Sequence, residues 1–457
     1  MLIFRLECSA TAHTVRGFAP RQYTLPNAVS FTNGLSCATI RKTIFKKGEV
    51  MKTKNLLVGQ SGGPTAVINS SLYGVVSAGR NQAEIGQVYG MINGVEGFLE
   101  DRVFDFEKEI TVEDIEKLKT TPGAFLGSCR FKLPESIEDE MFPTLFQKFE
   151  KLGIGYVAYI GGNDSMDTVS KLSRYATKIG SDIKIMGVPK TVDNDLVRTD
   201  HTPGFGSAAK YVATTVREIA IDASVYETKS VTIVEIMGRH AGWLTAASVL
   251  ARKHATDNPL LIYLPEVPFE KAKFLAQIEK AFEKNKNVIV CISEGIKDAS
   301  GTFICEYATD VGVDSFGHKM LAGAGKYLEN VVRKELGVKV RSVELNVSQR
   351  CSATLMSATD QKEAMAAGDF AVSSMLKGET GKMISFIREE GSEYKLSYGL
   401  EDVNLICNQE KEMPLEWITG MGSDISDEFL AYVRPLVKGN VEIPQDEDGL
   451  PCFVYRK

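Results

Sequence analysis

From Met51 onward, short runs of β-branched and apolar residues alternate with longer stretches in which apolar residues recur every three or four positions. The short runs predict β-strands at 55–59, 156–160, 183–188, 231–236, 260–264, 288–292 and 338–345. The longer stretches predict helices, and the apolar stripe of 319–336 is typical of a helix packed on a core. Parallel strands joined by crossover helices produce this alternation, so we predict an α/β fold with mainly parallel sheets flanked by helices.

Five unusual polar or glycine-rich segments each come directly after a predicted strand. They span residues 60–63, 161–165, 189–195, 237–240 and 293–295. In open α/β sheets, ligands bind outside the carboxyl ends of the strands. These segments are therefore expected to converge on one site although they are far apart in the chain.

Length and composition limit the classes of protein that fit. A chain of 457 residues is long for a single hydrophobic core, so two lobes are expected, and 44% hydrophobic residues suffice to fill both. The net charge of -6 gives no general affinity for nucleic acid. The eight cysteines include no C-x-x-C pair and no Cys/His cluster, which argues against a disulfide framework or a zinc site and favours a reducing cytoplasm. No apolar run reaches the length of a membrane span.

The first fifty residues differ in composition from the rest, with seven Lys or Arg against two acids. An organellar transit peptide is one interpretation. We favour upstream sequence that is not native, because Lys46-Lys47-Gly48-Glu49 is what a purine-rich ribosome-binding sequence would encode if it were translated. Met51 follows at a plausible spacing and would then be a bacterial start.

Two of the five segments have the composition of phosphate-binding turns. Gly62 and Gly63 lie between a predicted strand and a predicted helix, where backbone N–H groups can approach an anion, although a plain turn explains them equally well. In 161–165, Asn163 and Asp164 place an acid inside such a turn. This favours a magnesium ion, a nearby lysine or the exclusion of a bulkier phosphate chain, but the two residues could also simply cap the next helix.

The segment 189–195 carries two carboxylates, Asp193 and Asp195, two positions apart. One could deprotonate a hydroxyl while the other helps to place magnesium, as phosphoryl transfer requires. An ordinary turn would use the same residues. Lys190, directly before the pair, favours the catalytic interpretation.

Arginines on the predicted loops supply further positive charge. Because arginine binds phosphate oxygens through two parallel hydrogen bonds, arginines on loops near glycine-rich turns favour anionic substrates. Each alone could equally be a solvated charge or a structural ion pair. The three arginines are Arg130, Arg239 and Arg350.

These segments, in this order, resemble the phosphofructokinase family from about residue 55 to at least residue 360. The resemblance implies a donor-binding lobe at 51–205, a sugar-phosphate lobe at 206–350 and a C-terminal region at 351–457 that partly returns to the first lobe, with the active site in the cleft between the lobes. It implies a glycolytic phosphotransferase that phosphorylates the C1 hydroxyl of fructose 6-phosphate, with Mg²⁺ as cofactor. It also suggests a cytoplasmic homodimer or homotetramer.

The resemblance further assigns roles to single residues. The glycine pair of 60–63 would cradle the donor, and Arg130 would bridge the transferred phosphate. Asp193 corresponds to the general base, with Thr191 and Asp195 as its hydroxyl-positioning and magnesium-linked companions. Met237, Gly238 and Arg239 correspond to the family's sugar-phosphate loop. Glu294 would bind a sugar hydroxyl, and Arg350 would clamp the sugar phosphate.

Donor choice depends on two positions in this family. ATP-using members carry glycine where Asp164 and Lys190 stand, whereas the pyrophosphate-dependent branch carries Asp and Lys. Asp164 would place bulk and charge where a nucleotide α-phosphate would lie, and Lys190 would bind the compact pyrophosphate. The resemblance thus implies a reversible, pyrophosphate-dependent reaction, with an ATP-dependent 6-phosphofructokinase as the alternative.

The implied magnesium ligands are Asp164, Asn163 and Asp195, and Asn163 departs from the family because most relatives have Asp there. A non-catalytic sugar-phosphate sensor is disfavoured by the intact set of Thr191, Asp193 and Asp195. A nicotinamide-dependent oxidoreductase is disfavoured because no G-x-G-x-x-G fingerprint occurs.

Overall fold

Two largely parallel sheets carry the fold, and the computed structural model describes them through residues 53–307 and 323–456. The predicted extension 1–50 and the start of the predicted helix 319–336 lie outside the described residues. The strands are β1 (Lys54–Gln60), β2 (Ile85–Met91), β3 (Val103–Asp105), β4 (Ile154–Gly161), β5 (Lys184–Pro189), β6 (Ser230–Ile236), β7 (Leu261–Tyr263), β8 (Asn287–Ser293), β9 (Lys339–Glu344), β10 (Lys382–Arg388), β11 (Leu396–Asp402), β12 (Ile418–Thr419) and β13 (Asp424–Ile425).

Helices connect most of these strands. They are α1 (Ile68–Asn81), α2 (Gly94–Leu99), α3 (Val112–Lys117), α4 (Met141–Lys151), α5 (Asn163–Lys178), α6 (Phe205–Ser224), α7 (Trp243–Ala246), α8 (Lys271–Ala281), α9 (Ala324–Leu336), α10 (Ser348–Cys351), α11 (Ala358–Leu376) and α12 (Asp427–Val433). None of the helices in the described ranges is both long and apolar enough to cross a membrane.

The first sheet has the order β11-β10-β5-β4-β1-β2-β3. Strands β2, β1, β4, β5 and β10 run parallel to one another, and β3 and β11 pair antiparallel with β2 and β10 at the two edges. The last five residues of β1 are all buried. A central parallel strand is covered by helices on both faces, which is why its sequence is a continuous apolar run and not an alternating one.

The second sheet has the order β7-β8-β6-β9, and all its pairs are parallel. Its strands β6 and β8 are buried over nearly their whole length. Hydrophobic clusters lie on both faces of each sheet, so each sheet has its own core on either side. The prediction of mainly parallel sheets flanked by helices is confirmed.

Close packing of α11 on α1 attaches the C-terminal region to the first sheet. A Cβ on Gly74 would lie 2.0 Å from the Met365 carbonyl oxygen, and one on Gly368 would lie 2.3 Å from the Ser71 carbonyl oxygen. Only residues without a side chain allow the two backbones to come this close. Strands β10 and β11 then extend the same sheet next to β5, while the proposed domain boundaries at 205 and 350 remain predictions.

Candidate active site

The five predicted segments follow the carboxyl ends of β1, β4, β5, β6 and β8. In the first sheet, the backbone N–H of Lys190 donates to the Gly161 carbonyl at 3.0 Å, which joins the segments after β4 and β5. In the second sheet, the N–H of Glu294 donates to the Ile236 carbonyl at 2.9 Å. The charge of Asp193 raises the pKa of Glu294, so the loops of the two sheets face each other across one cleft.

The glycine pair after β1 lines a small cationic cavity of about 260 Å³. Gly62 has φ +75°, a left-handed conformation that favours glycine, and the Ser128 hydroxyl donates to its carbonyl at 2.6 Å. A Cβ on Gly63 would lie 3.4 Å from an Arg350 guanidinium nitrogen. Arg130 and Arg350 both line this cavity, so it has the size and charge for a small anion.

Lys190 lies directly beneath this cavity. Its ammonium group donates to the Gly63 carbonyl at 2.7 Å and would lie 3.3 Å from a Cβ on Gly62. Lys190 is only 2% exposed, and this burial lowers its pKa to about 8, an effect that the positive charge of Arg350 strengthens and the negative charge of Asp193 opposes. The hydrogen bond to the Gly63 carbonyl thus fixes the Lys190 ammonium beneath the cavity without a bound ligand.

The two carboxylates of 189–195 lie in the cleft beside Lys190. Asp193 is partly exposed to the cleft. Burial of the rest of the side chain raises its pKa to about 7. The negative charge of Asp195 adds to this rise, and the positive charge of Lys190 opposes it. Burial also raises the pKa of Asp195. The Thr191 hydroxyl accepts from the Asp193 N–H at 3.1 Å and fixes the turn between them. The pair can therefore take up a proton near neutral pH.

The sugar-loop candidates surround Glu294 on the opposite lobe. Gly238 adopts φ +141°, and a Cβ there would lie 2.7 Å from the Ala241 carbonyl oxygen. Its N–H donates to the Glu294 carboxylate at 3.4 Å, and the Met237 N–H donates to the Gln349 side chain at 3.2 Å. Burial raises the pKa of Glu294 to about 7, and the nearby Arg239 opposes this rise.

Asp164 lies in the first turn of α5, but its ion pair is with a residue that the sequence did not suggest. The Lys132 ammonium is 3.2 Å from its carboxylate, and the Asp164 side chain is 55% exposed. Asp164 and Lys190 follow neighbouring strands, β4 and β5, yet Lys190 bonds to Gly63. The structure therefore brings Lys190 to the glycine cradle and leaves Asp164 at the rim with Lys132.

A segment of the C-terminal region completes the site, and sequence reasoning missed it. The Lys411 N–H donates to the Asp195 carbonyl at 2.7 Å. The charge of Glu410 raises the pKa of both Asp193 and Asp195. Both residues follow Asp195 by more than two hundred positions. Glu410 and Glu412 have the same spacing as Asp193 and Asp195, but no strand was predicted directly before them, so this signal was not recognised.

Asn163 also contacts this segment. Its amide nitrogen donates to the Gln409 carbonyl at 2.5 Å, and its amide oxygen accepts from the Asn408 N–H at 2.6 Å. Both ends of the side chain are engaged by backbone groups. The metal-ligand role that the sequence suggested for Asn163 stays a prediction.

The chemistry of the donor set fits a divalent cation that is only partly held by protein. Within 53–307 and 323–456, no three His, Cys, Asp or Glu side chains are grouped so as to hold a metal ion by themselves. Mg²⁺ at phosphate sites is usually bound through one or two carboxylates plus substrate phosphates and water. Asp195 provides such a carboxylate, and a bound cation would lower its raised pKa.

Comparison with known proteins gives consistent findings. Residues 55–375 match the phosphofructokinase family. The chain is 40% identical over 410 residues to the pyrophosphate–fructose 6-phosphate 1-phosphotransferase of Xanthomonas campestris pv. campestris, covering 89% of this chain and 97% of that protein. It is 30% identical over 346 residues to the ATP-dependent 6-phosphofructokinase of Corynebacterium efficiens, covering 73% and 92%. The crystal structure of the pyrophosphate-dependent phosphofructokinase of Nitrosospira multiformis superposes with a TM-score of 0.80 at 35% identity, covering 88% of this chain and 96% of that one.

Proposed function

The chain belongs to the phosphofructokinase family, and from that premise we propose that it transfers a phosphoryl group from pyrophosphate to the C1 hydroxyl of fructose 6-phosphate. The observation that carries this proposal is the buried Lys190 ammonium beneath the glycine cradle, 2.7 Å from the Gly63 carbonyl oxygen. A lysine ammonium buried beneath the glycine cradle favours a small anion such as pyrophosphate. The family, the phosphotransferase class and the similarity to pyrophosphate-dependent relatives all agree with it.

On the donor side, Lys190, Arg130 and Arg350 would neutralise the pyrophosphate oxygens. All three surround the glycine cradle, where backbone N–H groups can also donate to the donor. Because they are positioned before the substrate arrives, little reorganisation is needed as charge moves in the transition state. Magnesium bound with the donor would supply further neutralisation, and Asp195 and Asp164 are the carboxylates proposed to hold it.

Asp193 is the proposed general base. Its pKa of about 7 lies close to neutral pH, where about half of the carboxyl groups are ionised and the carboxylate is basic enough to accept the sugar hydroxyl proton. Thr191, whose hydroxyl already bonds the Asp193 N–H, would position the substrate hydroxyl. The C1 oxygen attacks the terminal phosphorus in line, the bond to the bridging oxygen breaks, and orthophosphate leaves. No covalent enzyme intermediate is required.

On the sugar side, Arg239 would bind the 6-phosphate, whereas Arg350, the other predicted sugar-phosphate ligand, lines the donor cavity beside Gly63 and is assigned to the donor in this proposal. Glu294 would accept a sugar hydroxyl, with the backbone of Met237 and Gly238 lining the loop. Glu294 already accepts from the Gly238 N–H and is influenced by the charge of Arg239, which supports a shared role for this loop.

The test is product identification. Purified protein with pyrophosphate, fructose 6-phosphate and Mg²⁺ should form fructose 1,6-bisphosphate and orthophosphate in equal amounts by ³¹P NMR. The reverse mixture should form pyrophosphate, because the two directions differ little in driving force. An Asp193→Ser variant is the matched control for contaminating kinases. Formation of a different phosphorylated sugar, or of none, would overturn the proposal. The predicted homodimer or homotetramer can be measured on the same sample by light scattering.

A further inference from the structure

Residues 408–413, which we call the strap, cross the candidate active site and contact loops from both lobes. The strap bonds to Asn163 after β4 and to Asp195 after β5 in the first lobe. It also bonds to Trp243 and Glu266, which flank the sugar-loop side. One short segment therefore connects the donor turn, the catalytic turn and the second lobe.

The first attachment is a two-way hydrogen bond to Asn163. The amide oxygen accepts from the Asn408 N–H at 2.6 Å, and the amide nitrogen donates to the Gln409 carbonyl at 2.5 Å. Asn408 has φ +62°, a left-handed backbone conformation. An ionised Asp at 163 could accept the first bond but could not donate the second, and it would place a carboxylate against a carbonyl oxygen.

The second attachment is Lys411. Its N–H donates to the Asp195 carbonyl at 2.7 Å, and its half-buried ammonium donates to the carbonyls of Thr199 at 3.1 Å and Asp200 at 2.9 Å. The Lys411 carbonyl accepts from the Trp243 indole at 2.8 Å, and the ammonium lies 5.1 Å from that ring centroid. Lys411 thus holds both ends of the segment 195–200 that follows the catalytic acids.

The last attachment lies on the second lobe. The Met413 N–H donates to the Glu266 carboxylate at 3.1 Å, and the same oxygen accepts from the Gly242 N–H at 2.7 Å. Gly242 immediately precedes Trp243 in α7 and lies three residues after the sugar-loop arginine. The strap is therefore attached on both sides of the cleft.

We propose that the strap positions the catalytic turn relative to the donor turn, and that Asn163 is a positioning residue that latches the strap in place. The kinetic part of this inference rests on the proposed phosphotransferase function, whereas the structural part does not. Asn163 then serves the site through hydrogen bonding to the strap. The latch needs one donor and one acceptor, which an amide side chain supplies and a carboxylate does not.

The structural test is hydrogen exchange followed by mass spectrometry on peptides spanning 405–414, without substrates. Asn163→Asp and Asn163→Ala should each speed exchange at the amides of Asn408 and Lys411 by roughly 10–100-fold, the effect of losing two hydrogen bonds of ordinary strength. Asn330→Asp, on the exposed face of α9, controls for the added charge and should leave the strap amides unchanged. If Asn408 exchanges faster while Lys411 keeps its wild-type rate, the strap does not act as a unit and the proposal is wrong.

The kinetic test separates positioning from metal binding. A latch predicts that Asn163→Asp and Asn163→Ala both lower kcat by roughly 10-fold or more while the Mg²⁺ concentration for half-maximal rate stays within about twofold. A metal ligand predicts the opposite pattern, with tighter Mg²⁺ use in the Asp variant and weaker use in the Ala variant, and that result would overturn the proposal. Should neither variant fold, Lys411→Met tests the same unit from its other end and should speed exchange at Asn408.

Discussion

Removing the charge of Lys190 is the sharpest perturbation of the donor site. In Lys190→Met, a side chain of similar length keeps the packing but loses the ammonium that lies 2.7 Å from the Gly63 carbonyl. Lys190 is 2% exposed, so water cannot readily replace the lost donor. Arg130 and Arg350 remain at the cavity, and the expected loss is therefore that of one cation and not of the whole site.

The magnitude follows from the charged contact that Lys190 is proposed to make with pyrophosphate. A hydrogen bond to a charged group contributes about 1.5–3 kcal/mol, which corresponds to roughly 10–150-fold in kcat/KM for pyrophosphate. The effect on KM for fructose 6-phosphate should be small, since the proposed sugar ligands lie on the opposite lobe.

The pH dependence provides a second signature of the same group. Burial lowers the pKa of Lys190 to about 8, and only the protonated form attracts an anion. The value of kcat/KM for pyrophosphate should therefore fall as pH rises through 8, while protonation of Asp193, whose pKa is about 7, produces a separate acidic limb, because kcat/KM reports the free enzyme. In Lys190→Met this alkaline limb should vanish. Asp193 should also become harder to ionise, since the positive charge that opposes the rise in its pKa is gone.

The assay is the initial rate with varied pyrophosphate at saturating fructose 6-phosphate, coupled to aldolase and measured from pH 6 to pH 9.5. Lys284→Met, an exposed lysine after α8, is the matched control and should behave as wild type. A Lys190→Met enzyme within about threefold of wild type, or one that keeps the alkaline limb, would refute the reasoning.

Other substitutions test the base, the donor choice and the fold. Asp193→Ser should lower kcat by roughly 10²–10⁴-fold with a smaller change in KM, and a near-normal kcat in steady-state assays would remove Asp193 from its role. Asp164→Gly combined with Lys190→Gly should raise kcat/KM for ATP, and an unchanged or lower value would separate these positions from donor choice. His201 is buried, with the carboxylates of Asp200 and Glu363 2.7 and 2.8 Å from its two ring nitrogens. Burial alone would lower the pKa of His201, but the two carboxylates outweigh it and raise the pKa. Stability from its charge is present below the unfolded pKa of about 6.5 and lost as pH rises through the higher folded pKa. Chemical denaturation of His201→Leu should show a loss of about 3–5 kcal/mol at pH 6 and a smaller one at alkaline pH, whereas an equal loss at both would argue against an imidazolium.

Much of the fold could be predicted because the central strands are buried on both faces. Such strands appear in the sequence as short apolar runs, and all seven predicted strands occur in the structure. Strands β2 and β10 were missed, since IGQVYGM and KMISFIR mix polar residues and glycine with apolar ones. Their places in the sheet depend on long-range pairing with β1 and β5, which no local window contains.

The site divides in the same way. Residues on turns after strands could be predicted to converge, because parallel strands end at the same edge, and Lys190 does reach the glycine cradle. The ion pair between Asp164 and Lys132 could not be predicted, because Lys132 lies in an irregular segment with no periodic pattern. The strap could not be predicted for a different reason. Most of its hydrogen bonds to the site use its own backbone N–H and carbonyl groups, which do not depend on the side-chain type at each position.

The account depends most on a donor pocket that accepts two phosphates and disfavours a nucleotide. The direct measurement is the initial rate of fructose 1,6-bisphosphate formation by purified protein with fructose 6-phosphate and Mg²⁺, with pyrophosphate alone and with ATP alone. We expect kcat/KM to be higher for pyrophosphate than for ATP, because the small cavity lined by the glycine pair, Arg130 and Arg350 fits a compact anion. A higher kcat/KM for ATP would contradict the assignment of Asp164 and Lys190 to donor choice, while leaving the fold and the proposed base in place.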